Sequence, residues 1–258
     1  MEVTDTGAQA LRMHMLDPFT FKAARAPSKL QIKTALINVK GTKILTTNAS
    51  GTFHVGLALE SIESSAAGLQ HSNSATSTFD GTADVTSDPM VNVMSAPVPN
   101  FNTANVQKKI IAAAIKVKYI GRDDEKAGLF YGYTVQRGTS VSLPGDVHTI
   151  DNAANYVGFR STPVENGLIN CFSPASHAHF DFVEGGVFSL NAPTPTIKVV
   201  GQGLPASKAV VQLEYSYTLE FVPVEGHYDK YEVQYNPYGD IGAQGSLTEA
   251  ERCRAFPV

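Results

Sequence analysis

The stretch KAVVQLEYSYTLEFV, residues 208 to 222, alternates without error. Ala209, Val211, Leu213, Tyr215, Tyr217, Leu219 and Phe221 fall on one face, opposite Val210, Gln212, Glu214, Ser216, Thr218, Glu220 and Val222. A period of two marks a strand with one buried and one wet face. Thirteen such residues at ~3.3 Å each span about 43 Å. Half-buried strands of this length belong to antiparallel sandwiches, since strands of parallel sheets are apolar on both faces.

The segments around it read the same way. LQIKTALINV from residue 30, a turn at Gly41, TKILTT, a turn at Asn48 to Gly51, and TFHVGLAL form a series of strands. In residues 110 to 120, Ile111, Ala113, Ile115, Val117 and Tyr119 share one face, with Lys116 and Lys118 on the other. TANVQKK, just before, allows a helical turn. LFYGYTV, 129 to 135, puts Leu129, Tyr131, Tyr133 and Val135 on a common face, and these apolar faces are expected to fill the core. A short helical stretch is expected near 150 to 157.

Residues 1 to 29 carry no sustained period and read as an N-terminal arm. Residues 61 to 88 hold eleven Ser or Thr, four acids and no Lys or Arg, which predicts a long exposed loop. Ser246-Leu247-Thr248-Glu249 is a capping box able to start a short helix through Arg254 in a C-terminal tail, residues 225 to 258. The resulting fold class is all-β: an eight-stranded antiparallel jelly-roll sandwich over residues 30 to 224, with long loops, an extended N-terminal arm and a C-terminal tail with a short helix.

Composition narrows the function. Charged residues make up 17% of the 258, against the roughly 25% of an ordinary soluble domain. A formal charge of −4 gives no overall attraction to nucleic acid or membrane. Cys171 and Cys253 have no metal or redox spacing, and no apolar run reaches the length of a membrane span. There is no Gly-x-Ser-x-Gly, no phosphate-binding glycine loop and no His-Glu-x-x-His.

LDPFTFKAARAP leading into a β-run, then AAAIKVKYIGRDDEKAGLFYGY, then VVQLEYSYTLEFVPVEG, resembles the single jelly-roll shell domain of small icosahedral virus capsid (coat) proteins, nodavirus-like and tombusvirus-like. The likeness runs over roughly residues 16 to 226. It implies two four-stranded sheets and self-assembly in many copies into an icosahedral shell around an RNA or DNA genome. The implied location is the virion, with assembly in host cytoplasm or nucleus. A host surface receptor would be met by internal loops, residues 61 to 88 first among them, and no membrane partner is implied.

Lys116, Lys118 and Arg122 would then face a neighbouring subunit or the particle interior, or else simply solvate an exposed strand. The sequence departs from the pattern in its arm. Residues 1 to 30 offer Arg12, Lys22, Arg25 and Lys29 against Glu2, Asp5 and Asp17, a net of one, so genome contact through the arm is weak.

Two constellations invite metal chemistry. Asp123, Asp124 and Glu125 cluster oxygen ligands of the kind Ca²⁺ takes, and the resemblance would put such an ion at a subunit interface. Arg122 and Lys126 compete for the same carboxylates, so a turn of ion pairs is the simpler reading. His177, His179 and Glu184 resemble the first metal motif of cupins, although the flanking glycines are misplaced and no second motif follows. The chain therefore reads as a structural protein and not an enzyme. A cupin-like metal-dependent enzyme and a lectin-like surface binding module are the alternatives.

Overall fold

A computed structural model describes residues 6–26, 32–58, 69–72, 91–92, 107–136, 158–172, 182, 195–223 and 232–236. One helix, α1 (Thr6–Leu16), precedes the strands β1 (Lys33–Thr46), β2 (Phe53–Ala58), β3 (Leu69–Ser72), β4 (Val91–Asn92), β5 (Lys108–Tyr119), β6 (Leu129–Gln136), β7 (Arg160–Pro163), β8 (Leu168–Cys171), β9 (Pro195–Gln202), β10 (Ala209–Phe221) and β11 (Val233–Tyr235). The strands form two antiparallel sheets, ordered β11-β1-β10-β5-β8 and β4-β3-β2-β9-β6-β7.

Within them, β1-β10-β5-β8 and β2-β9-β6-β7 are two four-stranded sheets. The chain crosses between them at β1 to β2, β4 to β5, β5 to β6, β7 to β8, β8 to β9 and β9 to β10. This is the eight-stranded jelly roll expected from the alternation, with β11 added to one sheet and β3 and β4 to the other. The inward row of β10 from Val211 to Phe221 is buried and packs with Ile115 and Val117 of β5, Val55 and Leu57 of β2, and Ile197 and Val199 of β9.

Several expectations change. Gly41 is no turn: β1 runs straight through it, opposite Tyr215. The Tyr215 ring lies where a Cβ at Gly41 would stand, so the glycine makes room for an aromatic side chain. The predicted helical turn before residue 110 is instead strand at Lys108 and Lys109, with the residues before 107 outside the described set.

In β5 a bulge between Ile110 and Ala112 makes Ile111 the extra residue. Ile110 therefore enters the core, and Ile111 turns outward. The apolar face of β6 is likewise not the core face. Phe130 and Gly132 point inward, with Phe130 edge-on to Phe53 at 6.0 Å, while Tyr131 and Tyr133 lie on the outer side with Val200 and Phe159. Gly132 is required inside because a Cβ there would press on Leu168 and Asn170 of the opposite sheet.

The N-terminal arm is not simply extended. Ala, Gln, Leu, Arg and Met favour helix, and α1 places Leu11, His14 and Met15 on one buried stripe. The 61 to 88 segment contains the strand β3, and the C-terminal tail contributes β11. The expected helices near 150 to 157 and after Ser246 lie outside the described residues, as do His177, His179, Glu184 and Cys253.

Candidate functional site

The outer face of β10 is wet in only one half. Gln212 and Glu214 are partly open, whereas Ser216, Thr218 and Glu220 are fully buried. The cover is the N-terminal segment, residues 6 to 26, lying across the five-stranded sheet. Leu11, Met15 and Ala26 pack on Ile111 and Ala112, the pair exposed by the bulge. Short side chains on β10 and β5 leave the depth for a helix, which is why the strand turns from Gln and Glu to Ser and Thr along its length.

Polar contacts fix the segment in register. The Phe21 carbonyl can only accept, so His14 Nδ1 donates to it at 3.2 Å, and Nε2 accepts from Thr218 Oγ1 at 2.7 Å. The ring is thus held neutral. Its pKa lies below the ordinary value of 6.5, chiefly because burial disfavours imidazolium, with Lys40 adding repulsion. Ser216 Oγ donates to the Pro18 carbonyl at 3.3 Å, and Cys171 Sγ to that of Leu16 at 3.2 Å. Past the helix, Asp17 Oδ1 accepts from the amides of Phe19 and Thr20 and turns the chain.

Glu220 is the second anchor. Its carboxylate, fully buried, accepts from the Ala26 amide at 3.1 Å, from Thr34 Oγ1 at 2.6 Å and from Asn236 Nδ2. Lys109 Nζ lies 3.5 Å away and also sits 4.1 Å from the centre of the Phe182 ring. Asn236 Nδ2 reaches the Ala26 carbonyl at 2.8 Å. One carboxylate thereby joins the N-terminal segment, β1, β5, β10 and the segment after β11. Arg25 adds bonds to Gln234 Oε1 and the Glu232 carbonyl. Neither His14 nor Glu220 was singled out by sequence pattern, since each stands where an ordinary exposed polar residue would.

The expected contact lysines lie on the uncovered half of this face. Lys116 and Lys118 flank Glu214 at 3.6 and 3.7 Å, and Lys116 also stands 5.6 Å from the Phe19 ring centre. Cross-strand pairing therefore occupies both lysines through one carboxylate.

The turn joining β5 to β6 separates its three acids. Asp124 pairs with Arg122 at 2.8 Å, Asp123 with Lys126 at 2.9 Å, and Glu125 with Lys208. The Lys126 hydrogen bond holds Asp123 below the usual carboxylate range, and the Lys208 hydrogen bond does the same for Glu125. Arg122 is thus spent inside the turn. Among the described residues no group of three His, Cys, Asp or Glu side chains is placed to hold a metal ion.

That turn belongs to a cross-bonded end of the sandwich, with Lys208 of the turn before β10 paired to Glu125. Thr47 Oγ1 donates to the Pro205 carbonyl, Ser207 N to the Asn48 carbonyl and Leu204 N to that of Gly51. At φ +70°, Gly51 has the Leu204 carbonyl where a Cβ would stand, which no other residue would tolerate. Val164 N donates to the Gly128 carbonyl, drawing in the turn between β7 and β8. Four short turns are thus bonded into one end.

The strand order defines an eight-stranded jelly roll with its four short turns gathered at one end. No protein-family model and no curated protein matches the sequence. Solved structures with the same fold are the T=1 particles derived from infectious bursal virus (TM-score 0.62, 11% identity, 95% of this chain and 91% of that one) and infectious bursal disease virus strain Gx (0.62, 10%, 95% and 95%). The infectious bursal disease virus VP2 subviral particle is similar as well (0.56, 11%, 90% and 91%). At such identities the likeness is one of fold.

Proposed function

We propose that this chain is a structural capsid subunit that self-assembles in many copies into an icosahedral shell enclosing a viral genome. The observation that carries the reading is a jelly roll shared along nearly the whole length of both chains with proteins solved as T=1 and subviral particles. A covered sheet face and an end of short, cross-bonded turns suit a rigid wedge that packs beside copies of itself. Its role is assembly, with no catalysis, and its location is the virion. The genome would meet charged residues spread over the folded surface, because the arm alone supplies so little positive charge.

Sizing chromatography followed by negative-stain electron microscopy tests this. Uniform hollow spheres are expected, and nuclease treatment of their contents would identify packaged RNA or DNA. A small oligomer at every pH and calcium concentration tried would refute the reading. Stoichiometric bound metal lost on replacing His177 and His179 would favour a metalloenzyme instead.

A further inference from the structure

The five-stranded sheet ends in two unlike edges. On one side, β11 pairs only with Lys33–Ala35 of β1. From Asn38 to Ile44, β1 has β10 on one flank and, among the described residues, no strand on the other. Asn38, Lys40, Thr42, Lys43 and Ile44 are all exposed, Ile44 by 62%. Lys40 Nζ donates to the Phe19 carbonyl, but the Lys43 side chain makes no hydrogen bond or ion pair among the described residues.

The opposite edge is β8, entered from the 3-10 turn Val164–Asn166. The Glu165 side chain in that turn is exposed and, among the described residues, makes no hydrogen bond or direct ion pair, with Lys126 acting on it only electrostatically. Close by, Leu129 and Pro163 are cross-strand partners, and both are exposed. Lys43 and Glu165 stand at the same end of the sandwich, near the close of β1 and in the turn bonded to Gly128.

We infer that these edges are the two halves of a side-to-side contact between copies of this chain. Lys43 and Ile44 of one copy meet Glu165, Leu129 and Pro163 of the next. Each half sets an exposed aliphatic side chain near an exposed charge that forms no direct ion pair among the described residues, although Lys126 acts on Glu165 electrostatically, and the two charges are opposite. A contact between unlike faces is heterologous, and repeated by rotation it closes into a ring.

Other occupants fit less well. Two β1 edges brought together would crowd the lysines at 40 and 43 of both copies, a common guard against edge pairing. Nucleic acid could meet Lys43 but would leave Glu165, Leu129 and Pro163 on the far edge unmatched. Only a second copy satisfies both charges at once. The inference rests on the capsid reading and names one of its contacts.

Charge reversal tests it: Lys43→Glu, Glu165→Lys and the double variant, compared by sedimentation velocity and electron microscopy. Both sites are exposed, so folding should hold, and circular dichroism and melting temperature check that it does. Each single variant is expected to lower the assembled fraction about tenfold or more in low salt. The double variant should recover most of the loss. Singles that assemble like the parent, or a double as poor as the singles, would overturn the contact while leaving the capsid reading intact. If the parent forms only small closed rings, the capsid reading fails and the same three variants still decide the contact. A parent that stays monomeric at every concentration overturns both.

Discussion

His14 Nε2 lies 2.7 Å from Thr218 Oγ1, a bond between residues 204 positions apart in the chain. It ties the last turn of α1 to the second half of β10, a central strand of the sheet beneath. The N-terminal segment is therefore part of the folded sandwich, and the state of one imidazole bears on whether it stays docked.

Acid should loosen that docking. Above the ordinary value of 6.5, His14 is neutral in both the folded and unfolded chain, and the bond is fully present. Because burial lowers the folded pKa, the unfolded chain takes up the proton first as pH falls below 6.5. Stability is then lost from about 6.5 down to the folded value. Protonation also turns Nε2 from acceptor to donor, against a Thr218 hydroxyl that must reorient. Melting curves from about pH 7.5 to about pH 5.5 should fall more steeply for the parent than for His14→Gln. Equal slopes would remove His14 from the account.

Glu220 should be among the costliest residues to remove. Replacement by Ala takes the acceptor from three donors and leaves Lys109 without its buried carboxylate. Breaking a buried ion pair in this way costs about 3–5 kcal/mol. Glu220→Gln keeps an acceptor oxygen and should lose less. Denaturant midpoints for the two variants check the order, and proteolysis of residues 6 to 26 should accelerate in the Ala variant.

Gly41 offers a packing test. A methyl group there meets the Tyr215 ring, and overpacking of this kind costs about 1–3 kcal/mol. Removing the ring relieves the clash, so Gly41→Ala should cost far less in a Tyr215→Ala background than alone. Denaturant unfolding of the four proteins in the cycle measures the coupling, and simple additivity would mean that β1 shifts to absorb the methyl.

The same glycine marks the limit of what the sequence discloses. Period-two alternation in 208 to 222 suffices for the sandwich, because the inward row of β10 follows it from Val211 to Phe221. At the strand's start Ala209 is exposed and Val210 enters the core, where the pairing with β1 shifts register. In the sequence Gly41 reads as a turn because a glycine that yields space to a distant tyrosine looks the same as one that turns a chain. In β5, alternation hid the bulge at Ile111, which only the pairing with β10 reveals. Ser216, Thr218 and Glu220 looked wet because nothing local indicates that a segment some two hundred residues earlier will cover them. Hydrophobicity alone points the aromatic face of β6 to the core, whereas the approach of β8 at Gly132 turns that face outward. Contacts between distant segments were thus the illegible part, and they make up most of the site.

The calcium expectation is decided by chelation. Asp123, Asp124 and Glu125 each have their own cation, so EDTA should leave the melting temperature and any assembled particles unchanged. A fall in melting temperature reversed by Ca²⁺, and abolished by Asp123→Asn, would place an ion at this turn.

Asn170 joins the two sheets, and its replacement should have a signature in pH. Buried in the sandwich, its Nδ2 donates to the carbonyls of Tyr133 at 2.9 Å and Lys198 at 3.0 Å, one on each of the paired strands β6 and β9. Asn170→Ala loses both bonds and some packing, a cost of about 1–3 kcal/mol. Asn170→Asp is nearly the same shape but, when ionised, points negative oxygens at two carbonyls. Its folded pKa should therefore rise above the unfolded value of ~3.9. The deficit of the Asp variant relative to the parent should be smallest near pH 4 and grow as pH climbs toward that raised value, then level off. The Ala variant should show no such slope. Chemical denaturation of parent, Ala and Asp forms across this range measures it, and a flat deficit for Asp would mean that the side chain swings away from the carbonyls and that the sheets are not held together there.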